Sequence, residues 1–391
     1  MATSPLRFGV FIAPHHPVGE DLTLQYERDL QLCQVLDQLG YDEVWVGEHH
    51  SGGWETIGHP EMFLAAAAQR TGHIQLATGV TSLPYHHPYN VAGRITFLDH
   101  LSRGRAILGT GPGALPSDAR AFGIDTEVLR DRQDESIGII KQLLSTDDPL
   151  TYKSDWFEMQ QAHLQVKPYR NRTIEMVAAS SISPSGMKLA GKHGLGVISV
   201  ASYSEEGLAA LPTQWGFAET YAAEFGNDID RSSWRVMMPW HIAETREQAI
   251  AEVKQGLLHW HNGYNVTTLA RAGASYVDPE NADGFIEAMI ARGGAIIGTP
   301  DDAVAAIGKL SELTGGFGTL VGFMHDWANH EATLRSYDMF MRYVVPKVQQ
   351  TIAPIERAET LLQADNTSLM EAAGRGILKA IREHNATHPR T

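Results

Sequence analysis

The sequence has a single cysteine, Cys33, and far fewer basic than acidic residues. One cysteine excludes an internal disulfide and a metal cluster held by several thiolates of one chain. The 31 lysines and arginines against 46 aspartates and glutamates give a net charge of −15. This charge opposes binding to a nucleic acid or to an anionic membrane surface. We therefore expect neither a nucleic-acid partner nor a membrane partner.

Long hydrophobic runs are also missing. The apolar run near the start, Phe8–Ala13, is too short for the hydrophobic part of a signal sequence or for a membrane span. Hydrophobic residues make up 43% of the chain and charged residues 20%, which is typical of a globular protein and not of a disordered one. With 391 residues, the chain suits two domains or one large barrel. We expect a cytoplasmic, globular protein.

Eight short runs of apolar and β-branched residues alternate with helical stretches. Three consecutive runs start at residues 43, 74 and 105, an interval that fits one strand, a crossover helix and a return loop. No shift in composition divides the chain, so the pattern predicts an α/β fold, a (β/α)8 TIM barrel, over a doubly wound sheet. The eight runs are Arg7–Ile12, Glu43–Gly47, Ile74–Val80, Arg105–Gly109, Ile174–Ala178, Leu195–Ser199, Arg235–Ile242 and Thr319–Phe323.

The repeat is interrupted in two places and continues into a tail. We expect residues 1–350 to form a single barrel domain, with insertions at about 147–172 and about 262–298. The first insertion is predicted to be a hairpin or a loop. The second is long, ends in Gly293-Gly294 and is a candidate mobile lid. Residues 351–391 are polar and weakly helical, and we expect a C-terminal helical extension that is peripheral or contacts another subunit.

Residues that follow the strands are the first candidates for chemistry, because barrel enzymes carry their active sites at the carboxyl ends of the strands. Glu48 and His49 follow the second strand, and a carboxylate beside an imidazole suits proton transfer near neutral pH. Histidines next to proline are predicted instead to be turn residues with satisfied ring nitrogens. These are His16, His59 and His87.

No metal site is predicted, although histidines are frequent at the strand ends. The His-x-His pair, His259 and His261, lies in a predicted helix, where residues two apart point to divergent faces. A metal-dependent hydrolase is therefore only a minor alternative.

A glycine-rich loop follows the fourth strand. Gly109–Ala114 has the form of a dinucleotide fingerprint, but Pro112 and Pro116 prevent the helix that such a loop must open. The loop has little side-chain bulk, so that a flat or anionic ligand can approach its backbone. A plain tight turn is the alternative.

Serines cluster after the fifth strand, at positions 180, 181, 183 and 185. Ser183 is the predicted N-cap of the next helix and Pro184 its first residue. Hydroxyls and free N–H groups then meet at the positive end of a helix dipole, which suits a phosphate. Ordinary capping without a ligand is the alternative.

Large apolar residues also lie near the strand ends. They suit either the barrel core or a cavity for a flat ring and an apolar substrate. These residues are Phe11, Trp54, Met237, Met238 and Trp240.

Several of these strings, in this order, resemble the bacterial luciferase-like flavin monooxygenase family, over about residues 6–350. The resemblance lies in Phe8–Phe11, Gly40–His50, Leu83-Pro84 with His87-Pro88, Leu98-Asp99 with Ser102–Arg105, and Gly298–Pro300. Within the family the chain is most similar to the limonene monooxygenase type. That similarity is carried by Trp45–Ser51, Leu83–Tyr89, Gly111–Ala114 and Trp327–Tyr337.

The resemblance implies reduced FMN (FMNH2) at the carboxyl end of the barrel, delivered by a separate NAD(P)H:flavin reductase, and a homodimer. It implies the insertion of one oxygen atom from O2 into a small hydrophobic substrate, such as a monoterpene or a cyclic ketone. His49 matches the catalytic histidine, and we expect Glu48 to support it. Ser180 and Ser183 match hydroxyls that contact the flavin phosphate, and Gly79-Val80 occupies the place of a non-proline cis peptide. The full set of expected cofactor contacts is Gly79, Val80, Thr81, Gly111, Gly113, Ala114, Ser180, Ser181 and Ser183.

The chain also departs from luciferase itself, which has arginine, glutamate and cysteine where this sequence has Pro112, Ala179 and Gly111. Phosphate binding here would therefore depend on hydroxyls and backbone groups. Two alternatives keep the same fold. One is a deazaflavin (F420)-dependent oxidoreductase that transfers hydride, and the other is a flavin-binding or interaction protein without enzymatic activity.

Overall fold

The computed structural model describes residues 5–13 and 15–388. The first four residues of the predicted barrel domain, its residue 14, and the last three residues of the predicted extension lie outside the described part. The chain divides into two compact units, residues 1–344 and 345–391. This boundary lies six residues before the predicted one.

Eight parallel strands form a closed barrel, as predicted. Hydrogen bonds connect each strand to the next and the last strand to the first. Each strand starts within one residue of a predicted run. The strands are β1 (Arg7–Ile12), β2 (Glu43–Val46), β3 (Gln75–Thr78), β4 (Ala106–Gly111), β5 (Glu175–Ser180), β6 (Gly196–Ser199), β7 (Trp234–Met238) and β8 (Thr319–Met324).

The barrel interior is filled by side chains from alternate positions of the strands, because successive strand residues point to opposite faces. Phe11, Trp45, Ala77 and Ile107 lie in register across β1 to β4. Together with interior residues of the other strands they form one buried apolar cluster. The barrel is therefore a packed core, and a ligand must bind at its rim.

Helices alternate with the barrel strands and cover them. Helix α1 shows why the sequence pattern predicts them well: it ends at Leu39, and Gly40 follows in the left-handed conformation with φ of 87°. The remaining helices of the first unit are α2 (Pro60–Ala68), α3 (Pro88–Leu101), α4 (Pro116–Ala121), α5 (Leu129–Ser145), α6 (Ser185–His193), α7 (Glu205–Phe225), α8 (Arg246–His259), α9 (Ala282–Ala291), α10 (Pro300–Thr314) and α11 (His330–Met339), and α1 itself spans Leu22–Leu39.

The first insertion is a hairpin, as predicted. Its antiparallel strands are Leu150–Lys153 and Glu158–Ala162. The short strand Thr81–Ser82 lies beside the end of β4.

The segment predicted as the second insertion, residues 262–298, has secondary structure of its own. The segment contains part of a π-helix, Trp260–Thr268, then helix α9 and a strand, Ile296–Gly298. That strand pairs with Trp240–Ile242, so the predicted run Arg235–Ile242 is two strands, only one of which belongs to the barrel. The strand was missed because it has only three residues and follows two glycines. The mobility of the segment stays a prediction.

The second unit consists of the short helix α12 (Val345–Val348) and a single long helix, α13 (Ala353–Thr387). The predicted helical extension is thus a helix of 35 residues, and none of these residues is buried. No helix in the described part of the chain is both long and apolar enough to cross a membrane.

The amino-terminal end of the barrel encloses an ion pair. The guanidinium of Arg235 donates to both carboxylate oxygens of Glu43, over 2.8 and 3.1 Å, and both side chains are inaccessible to solvent. The Trp45 indole N–H also donates to Glu43, over 2.9 Å. Arg235 contacts Glu175 as well, over 2.6 Å. Because both charges are withdrawn from water, each depends on the other.

We expect Glu43→Gln to lower the free energy of unfolding by about 3–5 kcal/mol, because the buried guanidinium of Arg235 loses its bidentate partner. Urea unfolding followed by circular dichroism measures the change. Lys254→Gln is the control, because Lys254 forms an exposed pair with Asp283 whose loss should cost less than about 1 kcal/mol. Equal stability losses in the two variants would contradict the assigned role of the Glu43–Arg235 pair.

Candidate active site at the carboxyl end of the barrel

A cavity of about 600 Å³ lies at the carboxyl ends of the strands. This volume lies within the usual range for a site that binds a small molecule or cofactor. All the predicted site residues line the cavity except one: Glu48, His49, Gly79, Val80, Gly111, Gly113, Ala114, Ser180, Ser181 and Ser183 do so.

Thr81 is the exception. It is buried and its hydroxyl donates a hydrogen bond to Glu61, over 3.2 Å. Thr81 also belongs to the short strand beside β4, so its backbone is paired with Thr110. The prediction that Thr81 contacts a cofactor is therefore not supported by its position.

Small residues keep one side of the cavity open. The peptide bond between Gly79 and Val80 is cis, as the resemblance implies. A Cβ at Gly79 would lie 2.6 Å from the ring of Phe11, and Gly113 has φ of +93° and lies against the hydroxyl of Tyr85. Helix α4 begins only at Pro116, so the glycine loop is not a dinucleotide fingerprint.

The serine cluster borders the cavity at the end of the neighbouring strand, β5, and the start of α6. The Ser180 hydroxyl is 1% exposed and has no hydrogen-bond partner in the described structure. The prediction that Ser183 caps α6 is wrong, since Pro184 is the N-cap and α6 begins at Ser185. The Ser183 hydroxyl bonds instead to the Ser185 hydroxyl, over 2.8 Å. The free N–H groups of α6 and a buried hydroxyl without a partner thus face one cavity.

His49 lies between two carboxylates. Its Nδ1 is 3.0 Å from Asp118 of α4, and its Nε2 is 3.2 Å from Glu55. Burial opposes a charge on this ring, but Glu55 and Asp118 together raise the pKa of His49 above its ordinary value. The two carboxylates therefore favour the cationic form of the imidazole.

Glu48 does not contact His49, although its negative charge contributes to the raised pKa of that ring. Its carboxylate accepts hydrogen bonds from the rings of His50 (2.9 Å) and His86 (2.7 Å) and from the backbone N–H of Ser82 (2.7 Å). Burial opposes its ionisation, but these hydrogen bonds lower the pKa of Glu48. Glu48 and His49 follow β2 and line the same cavity, but they have separate hydrogen-bond partners.

Glu55 takes the place that was predicted for Glu48. It is 9% exposed, and its Oε1 accepts hydrogen bonds from the ring of His15, over 3.0 Å, and from the hydroxyl of Tyr264. Burial opposes its ionisation, but His49 and His15 and the hydrogen bond from Tyr264 hold the pKa of Glu55 well below its usual range. Glu55 is thus an ionised carboxylate with three polar neighbours.

The apolar wall of the cavity contains Phe11 and Met237 from the predicted set, joined by Phe323 and Trp260. The other predicted aromatic residues lie elsewhere. Trp54 packs on Tyr264 and His259, and Trp240 stacks on Phe340. Met238 is buried and does not line the cavity either.

Two of the histidines that were predicted to be turn residues, His87 and His59, lie at the starts of helices and contact other parts of the protein. His87 caps α3 by accepting a hydrogen bond from the N–H of Tyr89, and His59 precedes α2 and contacts the ring of His50. Within residues 5–13 and 15–388, no three histidine, cysteine or acidic side chains are arranged to hold a metal ion. Of the pair considered above, His261 bonds to the carbonyl of Ser275, over 2.9 Å.

His16 forms a stronger polar contact than predicted. Its two ring nitrogens lie 2.9 Å from Asp29 of α1 and 2.7 Å from Asp326 beyond β8. Burial opposes the charge, but hydrogen bonds to Asp29 and Asp326 raise the pKa of His16 to about 9. The cationic ring therefore connects the loop after β1 to the loop after β8.

Comparisons with known proteins agree with this geometry. The family model for the luciferase-like monooxygenases matches residues 6–315. The chain is 43% identical over 361 residues to limonene 1,2-monooxygenase of Rhodococcus erythropolis, covering 92% of this chain and 91% of that protein. It is also 43% identical over 344 residues to 4-hydroxyprotoasukamycin monooxygenase of Streptomyces nodosus subsp. asukaensis, covering 88% and 92%.

A solved structure has the same fold. The oxygenating constituent of 3,6-diketocamphane monooxygenase of Pseudomonas putida, a type II Baeyer–Villiger monooxygenase in complex with FMN, superposes with a TM-score of 0.72. It is 26% identical and covers 88% of this chain and 98% of its own. The chain belongs to the luciferase-like monooxygenase family.

The His16 contacts predict a dependence of stability on pH. The folded state binds the His16 proton more tightly than the unfolded state, so the contribution is complete below pH 6.5 and is lost as the pH rises through about 9. The stability advantage of the wild type over His16→Gln should fall by about 3 kcal/mol between about pH 6 and about pH 9.5.

Urea unfolding at a series of pH values measures this advantage. His59→Gln is the control, because His59 has no carboxylate partner among the ion pairs of the described residues. The difference between His59→Gln and the wild type should therefore not change over the same range. An advantage over His16→Gln that is constant with pH would show that the ring is not charged.

Proposed function

We propose that this chain is the oxygenase component of a two-component flavin monooxygenase. It would receive reduced FMN from a separate NAD(P)H:flavin reductase and insert one oxygen atom from O2 into a small hydrophobic substrate. The second oxygen atom would leave as water, and the reduced flavin would supply the two electrons. Family membership supports the class of reaction, and the cavity supports the cofactor.

The buried Ser180 hydroxyl is the observation that carries the proposal for FMN. A buried hydroxyl without a partner is costly, and this one lies in the cavity beside the first turn of α6. A phosphate oxygen is an acceptor for both the hydroxyl and the free N–H groups of the helix. The flavin phosphate therefore fits the serine cluster, with Ser180, Ser181 and Ser183 as its proposed contacts.

The part of the cavity beside the glycines suits a flat ring. The small residues Gly79, Gly111, Gly113 and Ala114 leave room for the ring against the backbone, beside Val80. The aromatic wall of Phe11, Phe323 and Trp260 would exclude water from the reacting atoms. His49 would donate a hydrogen bond or a proton to an oxygen atom in this space.

The names of the relatives suggest the substrate class. One acts on limonene and another on diketocamphane, so a monoterpene or a cyclic ketone is the first kind of substrate to test. A homodimer is part of the proposal and is supported by large apolar side chains on two neighbouring helices, Met62 of α2 (72% exposed) and Phe97 of α3 (66% exposed). A cytoplasmic location stays a prediction.

Anaerobic titration with reduced FMN, followed by mixing with 18O2 and a panel of monoterpenes and cyclic ketones, tests the proposal. We expect saturable binding and a product that carries one 18O atom. His49→Ala should bind reduced FMN like the wild type but form product at a rate lower by about 100-fold or more. Hydride transfer with reduced F420 and no oxygen uptake with FMN would favour the deazaflavin alternative, and binding of neither cofactor would reject both.

The proposed phosphate contact makes a separate prediction. Ser180→Ala should weaken the binding of reduced FMN by about 10- to 100-fold, because a hydrogen bond to a charged group is lost. It should leave the binding of reduced riboflavin unchanged, because riboflavin has no phosphate. The control is Ser311→Ala in α10. It should change neither FMN binding nor riboflavin binding, because Ser311 is exposed and does not line the cavity. An equal loss for FMN and riboflavin would place the phosphate elsewhere.

A further inference from the structure

Glu55 connects three segments of the chain at the rim of the barrel. It follows β2, and its carboxylate contacts His15 after β1, Tyr264 of the π-helix and His49. We propose that Glu55 is the positioning residue that holds His49 in its protonated form, so that His49 donates a proton or hydrogen bond and does not accept one. This role rests on the oxygenase function proposed above.

The two oxygens of Glu55 have separate roles. Oε1 accepts the hydrogen bonds from His15 and Tyr264, whereas Oε2 faces Nε2 of His49. The hydrogen bonds at Oε1 fix the orientation of the carboxylate, and this orientation brings Oε2 to 3.2 Å from the imidazole. The position of the negative charge is therefore fixed from the side away from His49.

The ring of His15 lies between Glu55 and a second histidine, His325. The Nδ1 atoms of His15 and His325 are 2.9 Å apart, so one must donate and the other accept, and both rings cannot be cations at once. Burial lowers the pKa of His325 far below its ordinary value, so His325 is the neutral ring of the pair. The ionised Glu55 accepts a hydrogen bond from Nε2 of His15 whichever of the two rings donates at Nδ1. Tyr264 is also neutral, since burial and Glu55 raise its pKa.

Other charged groups around His49 point to the same result. Asp118 of α4 contacts Nδ1, and Glu48 adds a more distant negative charge from the end of β2. The arginines on the same cavity, Arg130 and Arg271, lie on other parts of the rim, and the neighbouring His50 is bonded to Glu48. The nearest charges to the imidazole are thus two carboxylates.

The proton on Nε2 remains available to a ligand. The contact between Nε2 and Glu55 is an ion pair at 3.2 Å and not an aligned hydrogen bond, while Nδ1 is fully used by Asp118. His49 lines the cavity, so its Nε2 proton is the one that can reach a ligand oxygen. A proton given up there would be replaced from solvent, and the ring returns to the cationic state that Glu55 favours.

The test is the protonation state of His49 in the flavin-free protein. Histidines labelled with 15N give ring nitrogen signals whose shifts report protonation, and His49→Gln identifies the His49 signals. In the wild type we expect His49 to stay protonated at pH values above the ordinary pKa of histidine. In Glu55→Gln, which keeps the size of the side chain and an acceptor for His15, the pKa of His49 should fall by at least about one pH unit.

Tyr264→Phe is the matched control. It removes one hydrogen bond at Oε1 but keeps the carboxylate and the hydrogen bond from His15, so the pKa of His49 should fall much less than in Glu55→Gln. The pH profile of oxygen transfer should move with the His49 pKa in Glu55→Gln, and riboflavin and FMN binding should not change. A purely structural role for Glu55 predicts instead equal effects of the two variants and no movement of the profile.

The outcomes separate this inference from the proposed function. If His49 of the wild type titrates with the ordinary pKa of histidine, the inference is overturned without any variant. A Glu55→Gln protein that fails to fold therefore does not prevent the test. An unchanged His49 pKa in folded Glu55→Gln also overturns it, even where reduced FMN binds and oxygen is transferred. Failure to bind reduced FMN rejects the proposed function, whatever the pKa of His49.

Discussion

A carboxylate that is removed from water must be compensated by nearby donors, and this constraint shapes the rim of the barrel at Glu55. The donors come from distant parts of the sequence, His15 after β1 and Tyr264 in the π-helix. Satisfying one buried charge therefore brings together the loops that form the cavity. It also leaves one carboxylate oxygen beside His49, so the packing of the rim and the charge of the imidazole have the same physical origin.

The barrel and the location of its site follow from local patterns. Strands β2 to β4 recur at a nearly regular interval, and helix α1 ends before a residue with a plain conformational preference, Gly40. Because parallel strands have their carboxyl ends on one side, residues that follow strands must meet there. That reasoning is enough to bring His49, the glycine loop and Ser180 to one cavity. It does not detect Ile296–Gly298, since a run of three residues has no measurable period.

The partners of each side chain could not be predicted in the same way. Glu48 is adjacent to His49 in sequence, but the carboxylates that contact His49 belong to Glu55 and Asp118. Neither contact has a sequence signal, because one depends on the irregular path of the chain after β2 and the other on the packing of α4. Thr81 was predicted to line the cavity together with Gly79 and Val80, which precede it, but its hydroxyl donates a hydrogen bond to Glu61 instead. The serine cluster shows the same limit, since its position was predictable but its capping residue was not.

The π-helix Trp260–Thr268 makes the wall of the cavity depend on the number of residues in this segment. Each residue of an α-helix turns the chain by about 100°, and the hydrogen bonds of a π-helix span one residue more than those of an α-helix. Deleting a single amino acid there would favour the tighter winding and displace Tyr264 from Glu55. A change of chain length in this segment would thus alter the wall of the cavity, which Trp260 lines, with no exchange of side chains at the wall itself.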